Sequence, residues 1–423
     1  MTGRERGKIL TKLAELIEEH NDELAAIESL DNGKPFSISS GFDIPEAAGN
    51  FRYFGGWADK IHGKTIEVND NAKFCYTRYE PIGVCGQIIP WNFPFLMLAW
   101  KIAPALATGN TVVLKTAEQT PLSALKFCEF LEKAGVPPGV VNIVSGFGPV
   151  AGSAIASHMD IDKCAFTGST LVGRNILKAA ASSNLKKTTL ELGGKSPSVV
   201  YDDCNIDDAV SWSCFGIVLN SGQVCCAGSR VYVQEGIYEE FEKKILEKYK
   251  QIQVGDPFKQ GTFQGPQVSE LQHSRIMDHI AQGRKEGTLL TGGSRHGNEG
   301  YFIEPTIFTD VDPSAKIARE EIFGPVLVLT KFKDEKELIN IANDTVYGLA
   351  AAVFSRDVTR AIGTAHKLRA GTVWVNCHNQ LHPNVPFGGY KQSGIGRELG
   401  EAALANYCES KSVHINLSQP APL

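Results

Sequence analysis

The chain has 423 residues, too many for one ordinary hydrophobic core, and its 43% hydrophobic and 21% charged content excludes a disordered protein. A net charge of −5, with no basic run interleaved with aromatics, argues against nucleic acid as a partner. The most apolar window, Ile82 to Leu114, is broken by Pro90, Asn92, Pro94, Lys101 and Pro104, whereas a membrane span needs about 20 predominantly apolar residues.

The chain opens almost directly into an amphipathic helix, with Ile9, Leu10, Leu13, Leu16, Ile17 and Leu24 at helical spacing. No secretory signal precedes it, and Arg4, Arg6 and Lys8 beside Glu5, Glu15 and Glu18 make a poor transit sequence. The segment His62–Tyr79 reads as extended. From residue 109 short apolar strands alternate with amphipathic helices. Strands are expected at Thr111–Lys115, Val140–Val144, Lys163–Phe166, Thr188–Leu192 and Ser198–Tyr201. Helices are expected at Pro121–Ala134, near Val150–Ser157, and at Thr170–Ser183. Such alternation predicts a parallel sheet covered on both faces, the build of a nucleotide-binding domain.

A second α/β series begins near residue 194, with strands Val231–Gln234, Val326–Phe332, Ala350–Phe354 and Thr372–Asn376. Helices Tyr238–Tyr249, Glu270–Glu286, Glu335–Ala342 and Val358–Lys367 alternate with them. The segment Lys411–Asn416 alternates weakly, as an exposed strand does. Two strands lying outside the main domains commonly extend a neighbouring subunit's sheet.

Ten cysteines with no C-x-x-C pattern read as reduced thiols of the cytosol or mitochondrial matrix. His378-Asn379-Gln380-Leu381-His382 lacks the Glu of H-E-x-x-H and a third ligand, so no metal is expected. The chemically richest stretch is LNSGQVCCAGSR, with Cys225 and Cys226 downstream of TLELGGKSP and its Glu191. A thiolate and a carboxylate base are what covalent chemistry at an aldehyde carbonyl requires, and a nearby base or positive dipole raises the thiolate fraction. Adjacent cysteines cannot share one site equally, and the residues alone leave open which is the nucleophile.

Asn92, in Pro90-Trp91-Asn92-Phe93-Pro94, is rigidly framed and can donate its amide to a developing oxyanion or simply satisfy a local turn. Phe93, Met97 and Trp100 suit either an apolar tunnel or ordinary core. Lys115 and Glu118 follow the TVVLK strand, where open α/β sheets bind ligands. They can hold the adenosine ribose or form a solvated charge pair. A carboxylate at Glu118 would favour NAD over NADP, whose 2′-phosphate would meet a like charge. In FTGSTLVG, Gly168 and Gly173 punctuate a strand-to-helix switch without completing G-x-G-x-x-G. Glu321 and Phe323, in EEIFGPV, suit a nicotinamide ribose and ring if the second domain faces the cofactor, and surface otherwise.

The ordered set PWNFP, KTAEQTP, FTGST, LELGGKSP, GQVCCAGSR, EEIFGPV and PFGGYKQSGIGRELG resembles the NAD(P)-dependent aldehyde dehydrogenase superfamily. The likeness runs from LAELIEEHNDELAAIESLDNGKP to the C-terminus and is strongest to the class 1 and class 2 enzymes acting on acetaldehyde- and retinaldehyde-type substrates. It implies an α/β fold with a Rossmann-type cofactor domain (residues 1–61 and 82–193), an α/β catalytic domain (194–392) and a small β oligomerisation arm (62–81 and 409–418). It implies Cys225 as nucleophile, Glu191 as general base, and Asn92 with the Cys225 backbone N–H as oxyanion hole. NAD-binding positions would be Ile89, Pro90, Trp91, Asn92, Lys115, Glu118, Gly148, Gly168, Ser169, Leu192, Gly193, Glu321 and Phe323. Phe93, Met97, Trp100, Val224, Cys226 and Phe387 would line the substrate tunnel, and Lys101 and Glu398 would relay the proton.

The implied reaction is oxidation of an aldehyde to an acid through a thiohemiacetal and a thioester, which Glu191-activated water hydrolyses after the reduced cofactor moves aside. Alternatives are a thiol esterase and a poorly folded or inactive member. The resemblance further implies a homodimer or homotetramer in the cytoplasm or mitochondrial matrix. Members of this type carry a further N-terminal hairpin and helices, so the apolar stripe of residues 9–30 is expected to be partly uncovered.

Overall fold

A computed structural model describes residues 1–68 and 72–421. Residues 69–71, which fall inside the expected extended segment, lie outside the described residues. The described residues build three sheets.

The first has six strands in the order Gly394–Ile395, Lys187–Glu191, Lys163–Thr167, Val84–Ile88, Thr111–Lys115, Val141–Val144. All neighbours are parallel except Gly394–Ile395, which returns antiparallel beside Glu191. After Val84–Ile88 the chain first winds outward through Thr111–Lys115, then crosses back to Lys163–Thr167 on the other side. The resulting crevice at the carboxyl ends of these strands is where open α/β sheets bind ligands. The second sheet has seven strands in the order Thr288–Thr291, Thr306–Thr309, Val326–Phe332, Arg230–Gln234, Pro197–Val200, Ala350–Phe354, Thr372–Val375.

The third sheet pairs Lys73–Pro81 antiparallel with both Thr65–Ile66 and Cys408–Asn416. Its long pairing runs from Pro81 opposite Cys408 to Lys73 opposite Asn416, so the last strand begins three residues before the sequence pattern shows it. The weak alternation has a physical cause: of its nine residues only Cys408 is buried.

Strands Thr288–Thr291 and Thr306–Thr309 escape the sequence reading. The helix Pro94–Thr108 escapes it as well, being buried on every face and therefore without amphipathic period.

The expected uncovered stripe is corrected by the packing of that helix. Leu10, Leu13, Ile17 and Leu24 are 0% exposed, and Leu30 is the large apolar residue left open, at 72%. Cover comes from Ile44–Trp57 and Pro94–Thr108, which pack against the first helix. At the crossing, a Cβ on Gly7 would stand 2.7 Å from the Gly55 carbonyl oxygen, so glycine there permits close approach. Thr2 and Glu5 close the start of the first helix as a reciprocal capping box. Among the described residues no helix is long and apolar enough to cross a membrane.

Candidate active site

Every residue proposed above for chemistry, cofactor or tunnel borders one cavity of about 1260 Å³; Lys101 and Glu398 lie behind it. The first sheet contributes from its strand ends: the Pro90–Pro94 loop after Ile88, Lys115, the Gly168 turn after Thr167, and Glu191. The second sheet contributes from segments that precede its strands: Gly193 before Pro197, Cys225 before Arg230, and Glu321 and Phe323 before Val326.

Cys225 is half-buried on a loop with an unusual backbone. Asn220, Ser221 and Gly222 have φ of 49°, 59° and 74°, three successive left-handed residues. Gly222 cannot be replaced cheaply, since a Cβ would sit 2.1 Å from the Gly324 carbonyl carbon. Side chains over-determine the loop: Ser221 Oγ donates to Gly265 O at 2.8 Å, and Gln223 Nε2 donates to Asn220 O at 3.1 Å. Asn220 Nδ2 donates to Asn92 O at 2.8 Å, while Asn92 Nδ2 donates to Gln223 O at 2.9 Å. The two segments carrying the thiol and the amide are thus tied directly together.

Cys226 turns away from the solvent and donates to Asn379 Oδ1 at 3.3 Å. A hydrogen bond with Cys226, reinforced by burial and the Glu321 carboxylate, holds the Cys225 thiol well above its usual range. The expectation that the surroundings raise the thiolate fraction is therefore reversed at rest: the thiol is neutral. Burial and the charge of Glu398 likewise push the Glu191 carboxyl well above the ordinary range, opposed by Lys101 and Arg397. Among the described residues neither of its oxygens has a hydrogen-bond partner. Its seat requires Gly388, where a Cβ would come within 2.8 Å of Glu191 Oε1.

The ELGGK glycines have separate tasks. A Cβ on Gly193 would collide with the Glu321 carboxylate at 2.1 Å, and one on Gly194 would stand 2.5 Å from Cys225 O. Gly194 N–H donates to Glu321 Oε1 at 3.0 Å. Burial raises the Glu321 carboxyl to about 7. Phe323, itself left-handed at φ 57°, meets Trp91 edge-on at 5.2 Å.

At the far end Lys115 Nζ pairs with Glu118 Oε2 at 3.1 Å; the lysine is buried and the carboxylate is at the surface. FTGSTLVG is less available to an anion than its glycines suggest. Gly168 N–H is already donated to Glu191 O at 3.0 Å, and Ser169 Oγ caps its own helix by accepting from Val172 N–H. Gly173 serves packing, since a Cβ there would meet Leu192 Cδ2 at 2.6 Å. Gly148 opens the turn that borders the cavity opposite this helix.

Trp100 and Phe387 meet edge-on at 5.6 Å and, with Phe93, Met97 and Val224, give the tunnel an apolar wall. Sequence reasoning missed Asn220, Gly388 and Asn379, whose contributions are local contacts with no motif chemistry of their own. His378 is fully buried against Trp374, and His382 is exposed, so the two do not converge. Among the described residues no group of three or more His, Cys, Asp or Glu could hold a metal.

The family model described as "Aldehyde dehydrogenase family" matches residues 1–413. The aldehyde dehydrogenase of Alternaria alternata is 61% identical over 417 residues, covering 98% of this chain and 84% of the relative. The human protein named "Aldehyde dehydrogenase, mitochondrial" is 55% identical over 420 residues, covering 99% of this chain and 81% of the relative. The structure of an NAD+ complex of aldehyde dehydrogenase from Bacillus cereus superposes with a TM-score of 0.97 at 49% identity, covering 99% of this chain and 85% of that one.

Proposed function

The chain belongs to the aldehyde dehydrogenase family, and from that premise we propose that it oxidises an aliphatic or small aromatic aldehyde to the carboxylic acid, with NAD as hydride acceptor and Cys225 as covalent nucleophile. The observation that carries this reading is the opening of Cys225, Glu191 and Asn92 onto one cavity that also has an apolar stretch of wall, Phe93, Met97, Trp100 and Phe387.

The cavity's polar fittings suit a dinucleotide. Lys115 and Glu118 stand where a ribose with two free hydroxyls can be bound, and the buried Thr167 hydroxyl, without a hydrogen-bond partner among the described residues, adjoins the Gly168–Ser169 turn. Glu321 and Phe323 stand beside Cys225 and suit the nicotinamide end. When bound, NAD supplies the hydride acceptor that converts the thiohemiacetal to the thioester.

The Cys225 sulfur, once deprotonated, adds to the aldehyde carbonyl. Asn92 then donates one amide N–H to the new oxyanion; its other N–H is held by Gln223 O, which fixes the direction of the first. For hydrolysis of the thioester, ionised Glu191 removes a proton from water, the hydroxide adds to the acyl carbon, and the thiolate leaves. A carboxylate with a raised pKa is a better base than an ordinary one, and Glu191 borders the cavity from which water would approach it. Glu398, paired with Lys101 and close enough for its charge to act on Glu191, is the carboxylate to which the Glu191 proton can pass.

The exposed antiparallel pair Lys73–Pro81 and Cys408–Asn416 is the segment we assign to assembly as a homodimer or homotetramer. The test of the main reading is aldehyde-dependent growth of NADH absorbance, abolished in Cys225→Ala. Ester turnover without that signal would instead select a thiol hydrolase, and activity surviving in Cys225→Ala would remove the nucleophile assignment.

A further inference from the structure

The loop carrying Asn92 is gripped from beneath by the end of the Asn21–Asn32 helix and the turn that follows it. Asn32, 2% exposed, donates its side-chain amide to Trp91 O at 2.7 Å and to Asn92 O at 3.3 Å. Gly33, at φ 90°, then reverses the chain against Pro266, where a Cβ would stand 2.8 Å from the ring. The reversal sends Lys34 back into the interior. Its Nζ lies 4.1 Å from the centre of the Phe93 ring, pairs with Asp43, and stands 3.7 Å from Glu28 Oε1. Glu28 Oε1 in turn accepts the Phe95 N–H at 3.3 Å.

Trp91, Asn92, Phe93 and Phe95 therefore each have a partner in residues 28–34. Burying a lysine with two carboxylates is a poor route to stability, because desolvation offsets most of the attraction and apolar packing often does as well. Directed contacts to one loop are a better account of it. Within that loop Asn92 is the group whose aim matters to chemistry.

We propose that Asn32, anchored beside the Glu28–Lys34–Asp43 cluster, is a positioning residue that fixes the Asn92 peptide and thereby aims its amide at the carbonyl oxygen of the Cys225 adduct. This rests on the assignment of Asn92 as oxyanion donor. Asn220 holds the same Asn92 carbonyl from the nucleophile loop, at 2.8 Å, so Asn32 completes a two-sided clamp on one peptide. Misplacement of a donor by about 1 Å can cost on the order of 100-fold in rate.

The test is the acylation of Cys225 by 4-nitrophenyl acetate without cofactor, followed as the burst of 4-nitrophenolate, in wild type, Asn32→Ala, Asn92→Ala and the double variant. Asn32→Ala should slow the burst by about 10-fold or more, while leaving the double variant no slower than Asn92→Ala alone. Losses that multiply in the double variant, or a wild-type burst rate in Asn32→Ala, would overturn the proposal, because a merely structural role adds to the loss of Asn92. If Asn92→Ala itself acylates at the wild-type rate, the oxyanion assignment fails first and the proposal falls with it. Asn32→Leu, close to the same size and without a donor, carries the same cycle if the alanine variant does not fold.

Discussion

Lys101 Nζ and Glu398 Oε1 meet at 2.6 Å, with the lysine side chain fully buried and the glutamate side chain 6% exposed. The two act on Glu191 in opposite directions, Glu398 raising its pKa and Lys101 lowering it. Removing either partner should therefore destabilise the fold, while the two removals move the pH dependence in opposite directions. Lys101→Met leaves a buried carboxylate unpaired and should destabilise the fold by about 3–5 kcal/mol. It should also move the acid limb of thioester hydrolysis to higher pH. Glu398→Gln should move that limb to lower pH. Denaturant unfolding and the pH profile of kcat check both, and shifts of the same sign in the two variants would sink the electrostatic account.

Glu191 itself sets a linkage between pH and stability. Its folded pKa lies well above the ordinary 4.5, so the protonated form is the one the fold favours. The stability this confers is complete below the unfolded pKa and is lost as pH rises through the folded one. Glu191→Gln should gain on wild type by up to about 1.4 kcal/mol per pH unit across that window. The gap in Tm between variant and wild type, small at pH 4, should widen toward pH 8 while acyl-enzyme hydrolysis collapses. A constant gap would contradict a carboxyl whose folded pKa is raised.

The hydrogen bond between the adjacent thiols makes a prediction opposite to simple loss of function. Contact with Cys226 is the leading cause of the raised Cys225 pKa, so Cys226→Ala should lower it and expose more thiolate at neutral pH. Alkylation of Cys225 by iodoacetamide should become faster at pH 7, with its pH midpoint moved down. Aldehyde oxidation should persist in Cys226→Ala and vanish in Cys225→Ala. Slower labelling in Cys226→Ala would mean that the contact favours the thiolate instead.

Cofactor choice should follow Glu118. Its carboxylate pairs with Lys115 and would repel a 2′-phosphate placed on the same sugar. In Glu118→Ala the ratio of kcat/KM for NADP to that for NAD should rise by roughly 10-fold, the size of about 1.4 kcal/mol. Binding measured by fluorescence quenching with each dinucleotide provides a check independent of turnover, and an unchanged ratio would remove Glu118 from the discrimination.

The site was most legible where chemistry and backbone punctuation coincide. PWNFP, KTAEQTP, ELGGK and GQVCC each combine a reactive side chain with Gly or Pro at a strand or loop end, and all four border the same cavity. The FTGSTLVG glycines were misleading in part, because a glycine reads alike whether it makes room for a ligand or for a neighbour. Gly173 makes room for Leu192, and the Gly168 amide faces Glu191 O. Asn32 was invisible as a functional residue, since an amide at the end of a helix is ordinary until its two acceptors are known.

Local order alone indicated the alternating α/β build, the candidate base and amide, and two outer strands, because hydrophobic period and residue chemistry are properties of neighbours in the chain. The choice of Cys225 over Cys226 came from resemblance, and the pairing of the outer strands from the structure. Only the tertiary structure decided the protonation states and the aim of those groups. The Glu191 carboxyl is pushed up by burial and by Glu398, far away in sequence, and the Cys225 thiol by its neighbour Cys226, by burial and by the distant Glu321. Asn92 is directed by Asn32, Asn220 and Gln223, which lie 60, 128 and 131 residues away. Electric fields and hydrogen bonds depend on separation in space, and no spacing along the chain encodes it.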